Sequence, residues 1–186
     1  MHHQVQYVKG KEMRRRQVHG VLSGHTFTTT TIKPVLDHGI AAGQANQISL
    51  IEGLHGLSYV GVGKLIAVLD AGFVGANAVD YSDYGEVIAT RNFVEGGTNV
   101  YQGSSHGFSV LSTMAASKEG VFIGTAPWAQ YVLIKTEKEL SETPEEMYNW
   151  IAGAEYADSI GADIINSSLG YSEFDDPNDN YTVNDL

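Results

Sequence analysis

The feature that most restricts the fold of this chain is an unbroken apolar run over residues 65–69, Leu-Ile-Ala-Val-Leu, which ends directly on Asp70. A strand with one face in water alternates apolar and polar residues, whereas a strand covered on both faces is apolar throughout. We therefore expect a buried parallel strand here. Gly72 stands just beyond it and turns the chain, which leaves Asp70 at the carboxyl end of the strand.

Other segments alternate between strand and helix patterns. Short apolar runs predict strands, and apolar residues at helical spacing predict the helices between them. Strands are expected over 87–94, 131–134 and 164–165, and helices over 44–54, from His106 and from Thr143. This order predicts an α/β fold, with a mostly parallel sheet and helices on both faces.

The last of these helices is the best marked. Thr143 is expected as the N-cap, with Pro144 at the first helical position and Glu146 as the returning side chain of a capping box. One apolar stripe follows, and Gly161 stands where a C-terminal cap is expected. The stripe consists of Met147, Trp150, Ile151, Ala154 and Ala157.

Composition limits the domain organisation and the classes of partner. The 186 residues suit one domain, and the net charge of −11 argues against nucleic acid. The absence of cysteine excludes disulfides and thiolate metal sites. No apolar run is long enough to cross a membrane, and the start of the chain has no apolar signal-peptide core. Residues 1–42, in which Thr26 to Thr31 are β-prone, show no catalytic spacing and are interpreted as a linker or a pro-segment tail.

Two polar residues mark a candidate site. Functional groups of open α/β sheets collect at the carboxyl ends of strands, where Asp70 is expected. A lone Asp after a strand is more often a turn former, but His106 follows in Ser105-His106-Gly107 and leads into a predicted helix.

Four segments in order resemble the subtilisin-like serine proteases, or subtilases: residues 66–72, 105–110, 124–127 and 165–170. The resemblance spans about residues 43–186 and implies a partial subtilisin-like peptidase domain, incomplete at its C-terminus. It implies that His106 is the general base and that Asp70 orients it. It also implies that Ser168, Leu169 and Gly170 line the substrate groove and pair with the substrate backbone.

The sequence departs from the family pattern at two places. Phe108 stands where the family usually has Thr, which is expected to alter packing at the start of the helix. The Gly-Thr-Ser segment of the nucleophile and the Ala-Gly-Asn segment of the oxyanion hole do not occur before Leu186. We therefore expect a serine endopeptidase of which this chain holds the Asp and the His but not the Ser, and which is inactive alone. The alternative is a degenerate or split subtilase fragment that acts as a binding module.

The remaining expectations follow from the resemblance. The expected partners are polypeptide substrates and the missing C-terminal half of the domain. Neither nucleic acid nor a membrane is expected as a partner. The family resemblance suggests that the protein is secreted. Without that half, Val68, Ile134 and Ile165 are expected to have fewer packing partners than their apolarity implies. No cofactor is expected. The family often binds structural calcium, but residues 175–180 lack the Gly and Glu of an EF-hand and are interpreted as a surface loop.

Two other readings of the motifs are weaker. Residues 103–107, Gly-Ser-Ser-His-Gly, match the nucleophile elbow of α/β-hydrolases, but no histidine follows His106 and no strand is predicted before Gly103. A nucleotide-binding domain would need a glycine-rich loop after Leu69, which is absent.

Overall fold

The computed structural model describes residues 16–22, 25–31, 36–41, 51–80 and 84–182. The chain divides into two compact units, one of residues 1–60 with 118–123 and one of residues 61–117 with 124–186. All the predicted site residues belong to the second unit. No helix within the described ranges is long and apolar enough to span a membrane.

The first unit contains an antiparallel hairpin. Its strands are β1, Arg16–Leu22, and β2, His25–Thr31, in register from Arg16 opposite Thr31 to Leu22 opposite His25. The β-prone run at Thr26 is therefore a strand inside the segment interpreted as a linker or pro-segment tail. A 3-10 turn at Gly39–Ala41 and a short helix α1, Ile51–Gly56, follow. Most of the helix predicted over 44–54 lies outside the described residues, which resume at Ile51.

The second unit is built on a four-stranded sheet. Its strands are β3, Leu65–Asp70; β4, Glu86–Asn92; β7, Gln130–Lys135; and β8, Ile164–Ser167. They lie in the order β4-β7-β3-β8, and every neighbouring pair is parallel. Outside this sheet the chain forms two short strands, β5, Ser117–Lys118, and β6, Phe122–Ile123, of which residues 118–123 are assigned to the first unit. The predicted α/β class with a mostly parallel sheet is confirmed.

Two helices cover opposite faces of this sheet. Alternate side chains of β3 point to opposite sides, so that Ile66 and Val68 join one apolar cluster while Ala67 and Leu69 join another. Helix α2, His106–Ala115, places Leu111 and Ala115 in the first cluster. Helix α3, Glu145–Ser159, places Ala157 in the second. Coverage of both faces explains why the run over 65–69 is apolar throughout.

The capping box predicted at the start of α3 is wrong. The helix begins at Glu145 with Pro144 as the cap residue, and no side chain caps it. The Glu146 carboxylate instead accepts a hydrogen bond from the backbone N–H of Lys138 at 2.9 Å. It is therefore engaged with another segment and does not return to the helix start. The Thr143 hydroxyl is buried and has no hydrogen-bond partner among the described residues.

The C-terminal cap of α3 is confirmed. Gly161 has a φ of 82°, which is the left-handed conformation that ends many helices. Its N–H donates to the carbonyl of Asp158, and the N–H of Ala162 donates to the carbonyl of Ala157. These two bonds form a Schellman motif.

The predicted apolar stripe of α3 is wrong at Ile151, whose side chain is 49% exposed. The helix approaches the sheet through Gly153 and Ala157, which are buried. A Cβ atom on Gly153 would lie 2.8 Å from Cγ2 of Thr136, so the small residue permits the close approach. The buried face is therefore rotated away from Ile151.

The expectation that Val68 and Ile134 have fewer packing partners than their apolarity implies is also wrong, since both are fully buried. They belong to the central strands β3 and β7, which the two helices cover. Ile165 differs, because β8 is an edge strand of the sheet; Ile164 is 53% exposed and Ile165 39%. Within the described sheet, the exposed large apolar residues therefore lie on the two edge strands, Ile164 and Ile165 on β8 and Ile88 on β4.

Candidate active site

Asp70 is the last residue of β3 and lies at the carboxyl edge of the sheet. Its side chain is fully buried, and its Oδ1 accepts a hydrogen bond from the N–H of Ala71 at 2.8 Å. A buried carboxylate is stable only when hydrogen-bond donors surround it. A second donor therefore has to come from another element.

His106 is that donor. It is the first residue of α2, and its Nδ1 lies 2.9 Å from both Oδ1 and Oδ2 of Asp70. A carboxylate only accepts, so Nδ1 carries the proton and Nε2 of the neutral ring is an acceptor. The His106 side chain is 53% exposed, and no hydrogen bond to Nε2 is formed within the described part of the chain. Asp70 therefore fixes the orientation of the imidazole through Nδ1, and Nε2 is left available as a hydrogen-bond acceptor.

Two glycines allow the helix to come this close to the strand. The N–H of Gly107 donates to the carbonyl of Gly72 at 3.1 Å. A Cβ on Gly107 would lie 2.5 Å from that oxygen and 2.8 Å from Cβ of Asp70. A Cβ on Gly72, whose φ is 149°, would lie 2.3 Å from the carbonyl oxygen of Gln102. Both positions therefore exclude a side chain.

Phe108 packs beside the pair and not into it. It is partly buried against the first apolar cluster, with its ring centroid 6.1 Å from that of Tyr84. Gly75 leaves room for it, since a Cβ there would lie 3.3 Å from Cδ1 of Phe108. The departure from the family's Thr is thus accommodated by apolar packing, and the hydrogen bond between His106 and Asp70 is formed.

The predicted groove segment begins beside Asp70. In the register of β8 with β3, Ser167 is opposite Leu69, so residues 168–170 continue along the same edge of the sheet. Ser168 and Gly170 are exposed and Leu169 is half-buried. The indole N–H of Trp150 donates to Oγ of Ser167 at 2.9 Å and anchors the start of the segment. The structure therefore brings the segment to the same edge as Asp70.

Sequence reasoning missed an ion pair at this edge, between a buried lysine and an exposed glutamate. Lys135 is opposite Asp70 in the sheet and only 3% exposed, and its Nζ lies 2.8 Å from Oε1 of Glu95. Burial alone would raise the pKa of Glu95, but hydrogen bonds from Lys135 and Asn92 outweigh it and lower that pKa. A lysine that ends the apolar run over 131–134 was the available signal.

An open cavity of about 560 Å³ adjoins this ion pair. Its walls come from the loops that follow β4 and β7 and from the loop that precedes His106. They consist of Glu95, Gln102, Gly103, Lys135, Lys138, Glu139, Leu140 and Ser141. His106 and Asp70 are not among these lining residues.

The structure also describes the segment of the nucleophile-elbow match and the acidic loop over 175–180. Residues 93–105 form bends and irregular loop, so the strand that a nucleophile elbow needs before Ser105 is absent from this described segment. In the acidic loop, Pro177–Asp179 is a 3-10 turn whose start is capped by Asp176, which accepts from the N–H of Asn178. No group of three or more His, Cys, Asp or Glu able to hold a metal ion occurs among the described residues.

Comparison with known families agrees with this architecture. A family model described as the subtilase family of S8 peptidases matches residues 35–185. The chain belongs to the subtilase family. The match starts upstream of residue 43, where the resemblance was predicted to begin. Membership makes the chain part of a family of serine-type peptidases, which are hydrolases.

Proposed function

We propose that this subtilase chain contributes the acid and the base of a serine endopeptidase site, with Asp70 and His106 as the residues. The observation that carries the proposal is the contact of His106 Nδ1 with both carboxylate oxygens at 2.9 Å. It fixes the tautomer in which Nε2 accepts a proton. Half of the imidazole remains exposed, which leaves room for a nucleophile and a substrate.

The proposed mechanism follows from that tautomer. Nε2 of His106 removes the proton from a serine hydroxyl as the hydroxyl attacks the peptide carbonyl. Asp70 stabilises the imidazolium that forms, and its burial keeps water from competing for Nδ1–H. The imidazolium then gives its proton to the leaving amine, and water repeats the cycle on the acyl-enzyme.

The substrate backbone is proposed to lie along Ser168, Leu169 and Gly170. The segment continues from an edge strand, so its peptide groups have no strand beside them within the described residues. An extended peptide adds a strand to such an edge, and main-chain hydrogen bonds then supply affinity. Gly170 adds no side chain, and no atom lies within 4 Å of the position that its Cβ would occupy.

The nucleophile is proposed to lie outside these 186 residues. No serine hydroxyl among the described residues hydrogen-bonds Nε2 of His106. We therefore expect the polypeptide of residues 1–186 to give no peptidase activity, since loss of the serine costs about 10⁶ in turnover. Labelling of any serine in that polypeptide by a fluorophosphonate probe would overturn this expectation.

The triad assignment is tested in the protein expressed from the complete open reading frame. Substitution of His106 by Ala or of Asp70 by Asn is expected to reduce turnover of a peptide substrate by about 10⁴ or more. Ser105→Ala is the matched control, because Ser105 makes no side-chain cap of α2 and has no role in the proposal. Full activity in H106A, or a loss in S105A as large as that in H106A, contradicts the assignment.

A second candidate is a binding module completed by another segment, favoured by the exposed Ile164 and Ile165 on the edge strand. The two candidates differ in whether a Gly-Thr-Ser segment follows Leu186 in the reading frame. Polypeptide substrates, the absence of a required cofactor and secretion are proposed from family membership alone.

A further inference from the structure

A buried carboxylate lies next to the groove segment. Glu137 follows the end of β7 and is only 5% exposed. Its Oε1 accepts a hydrogen bond from the hydroxyl of Tyr171, at close range, and another from Oγ1 of Thr136 at 3.0 Å. Tyr171 directly follows Gly170 in the chain. The carboxylate thus reaches the residue that ends the proposed groove segment.

A second carboxylate is buried against the first. Glu146 of α3 is fully buried, and its Oε1 accepts a hydrogen bond from the backbone N–H of Lys138. Burial raises the pKa of Glu137 to about 7; hydrogen bonds from Tyr171 and Thr136 oppose this rise, while the charge of Glu146 and a side-chain hydrogen bond with it add to the rise. Glu137 therefore changes charge near neutral pH. Its hydrogen bond to Tyr171 connects the segment after β7 with the segment after β8.

The other charged groups around the pair do not neutralise it. Lys138, on the same segment, directs its Nζ to Glu145 of α3 at 2.8 Å and donates only its backbone N–H to Glu146. Burial, Glu146 and Asp175 all raise the pKa of Glu142, so this side is acidic too. Lys135, at the end of β7, is engaged by Glu95. No cation is hydrogen-bonded to the Glu137 carboxylate within the described ranges.

The groove segment is held at both ends by side-chain hydrogen bonds. At its start, Trp150 donates to Ser167, and directly after its end Tyr171 donates to Glu137. An ionised carboxylate accepts a shorter and stronger hydrogen bond than a neutral carboxyl group. The second bond is therefore sensitive to the proton on Glu137, whereas the first contains no titratable group.

We propose that Glu137 is a positioning residue that holds Ser168, Leu169 and Gly170 in place through Tyr171, and that protonation of Glu137 loosens this hold. The consequence for peptide binding rests on the proposed function of the segment. The positioning itself does not, and can be measured without a substrate.

The test is an NMR titration of the 186-residue chain between about pH 5 and pH 9. The Cδ signal of Glu137 and the backbone amide signals of residues 168–170 are followed together. We expect the amide signals to shift with the midpoint of Glu137. In Glu137→Gln, which keeps the volume and an acceptor oxygen, that shift is lost. In Tyr171→Phe, Glu137 still titrates but the amides no longer follow.

Glu139→Gln is the matched control, since Glu139 is an exposed glutamate on the same segment and should leave the titration unchanged. Amide signals that keep the same midpoint in E137Q, or in Y171F, overturn the proposal. E137Q carries the test alone if Y171F does not fold.

A second measurement separates this inference from the proposed function. In the protein from the complete reading frame, E137Q should remove the rise in KM on acidification through about pH 7 and leave kcat unchanged. If the amides follow Glu137 but KM does not, the positioning stands and the groove assignment fails. If the amides do not follow Glu137, the positioning fails whatever the enzyme does.

Discussion

His106 and Asp70 differ greatly in their exposure to solvent, and this difference supports the roles proposed for them. The carboxylate is fully buried while half of the imidazole side chain is exposed. The exposed ring can be reached by a reacting hydroxyl, whereas the buried carboxylate can only orient the ring. The asymmetry follows from position: Asp70 ends a central strand, and His106 begins a helix on one face of the sheet.

Substitution of Gly107 by Ala should separate this pair. The new methyl group would lie 2.5 Å from the carbonyl oxygen of Gly72, and backbone atoms cannot rotate away as a side chain does. We expect a loss of about 1–3 kcal/mol in the free energy of unfolding, typical of overpacking. Urea denaturation measures this loss, and the downfield Nδ1–H proton signal of His106 reports the broken contact with Asp70.

Ser109→Ala is the control for that experiment, since Ser109 is an exposed residue of the same helix. It should change stability by no more than about 0.5 kcal/mol. A G107A protein with unchanged stability and an intact His106 signal would show that the close approach of helix and strand is not required.

At this scale the sequence predicted the contact between Asp70 and His106 but not the surroundings of this pair. Asp70 and His106 carry local signals, since one ends an apolar run and the other begins a helical pattern. Glu137 carries none, and the local pattern around Glu146 predicted a capping box and not burial. Only the packing of α3 against the end of β7 brings the two glutamates together and buries them.

At the scale of elements, helix α3 shows why ends are harder to predict than interiors. Its capping box failed because Glu146 binds the N–H of Lys138, a contact with a different segment that no local pattern encodes. The Gly161 cap succeeded because a Schellman motif closes through bonds within the helix itself. The expected stripe failed at Ile151 because the helix packs on the sheet through Gly153. Without a side chain at this position, the helix lies closer to Thr136 than a larger residue would allow.

Gly161→Ala tests the cap directly. Nothing lies within 4 Å of the position that the new Cβ would occupy, so the substitution introduces no clash. The whole cost is then the left-handed backbone at a φ of 82°, about 1–2 kcal/mol for a residue with a Cβ. Thermal or urea unfolding measures it. Gly161→Asn should lose less, because Asn tolerates this conformation; equal losses in the two variants would contradict the explanation.

At the scale of the whole molecule, the sheet order β4-β7-β3-β8 decides which surfaces are covered. The alternation of strands and helices predicted parallel strands, but not which strand would lie at an edge. Val68 and Ile134 are buried because β3 and β7 are central. Ile164 and Ile165 remain exposed because β8 is at the edge, where the proposed groove segment also begins.

The raised pKa of Glu137 should make the free energy of unfolding depend on pH between about 4.5 and 7. The folded-state pKa of Glu137 is raised from 4.5 to about 7, with burial as the largest cause. Between these values the folded chain binds the proton more tightly than the unfolded chain does. The stability that Glu137 contributes is therefore fully present below about pH 4.5 and is lost as the pH rises to about 7.

The measurement compares the free energy of unfolding of the unsubstituted chain with that of Glu137→Gln across this range. A difference of one between the folded-state and unfolded-state pKa corresponds to about 1.4 kcal/mol. The free energies of unfolding of the two proteins should therefore differ by an amount that changes by at most about 3 kcal/mol from pH 4.5 to 7. Above pH 7 it should be constant. Glu139→Gln should follow the unsubstituted chain throughout, because Glu139 is exposed. A difference that grows in favour of the unsubstituted chain as the pH rises would mean that Glu137 is stabilised as the anion, and that its hydrogen bonds outweigh its burial.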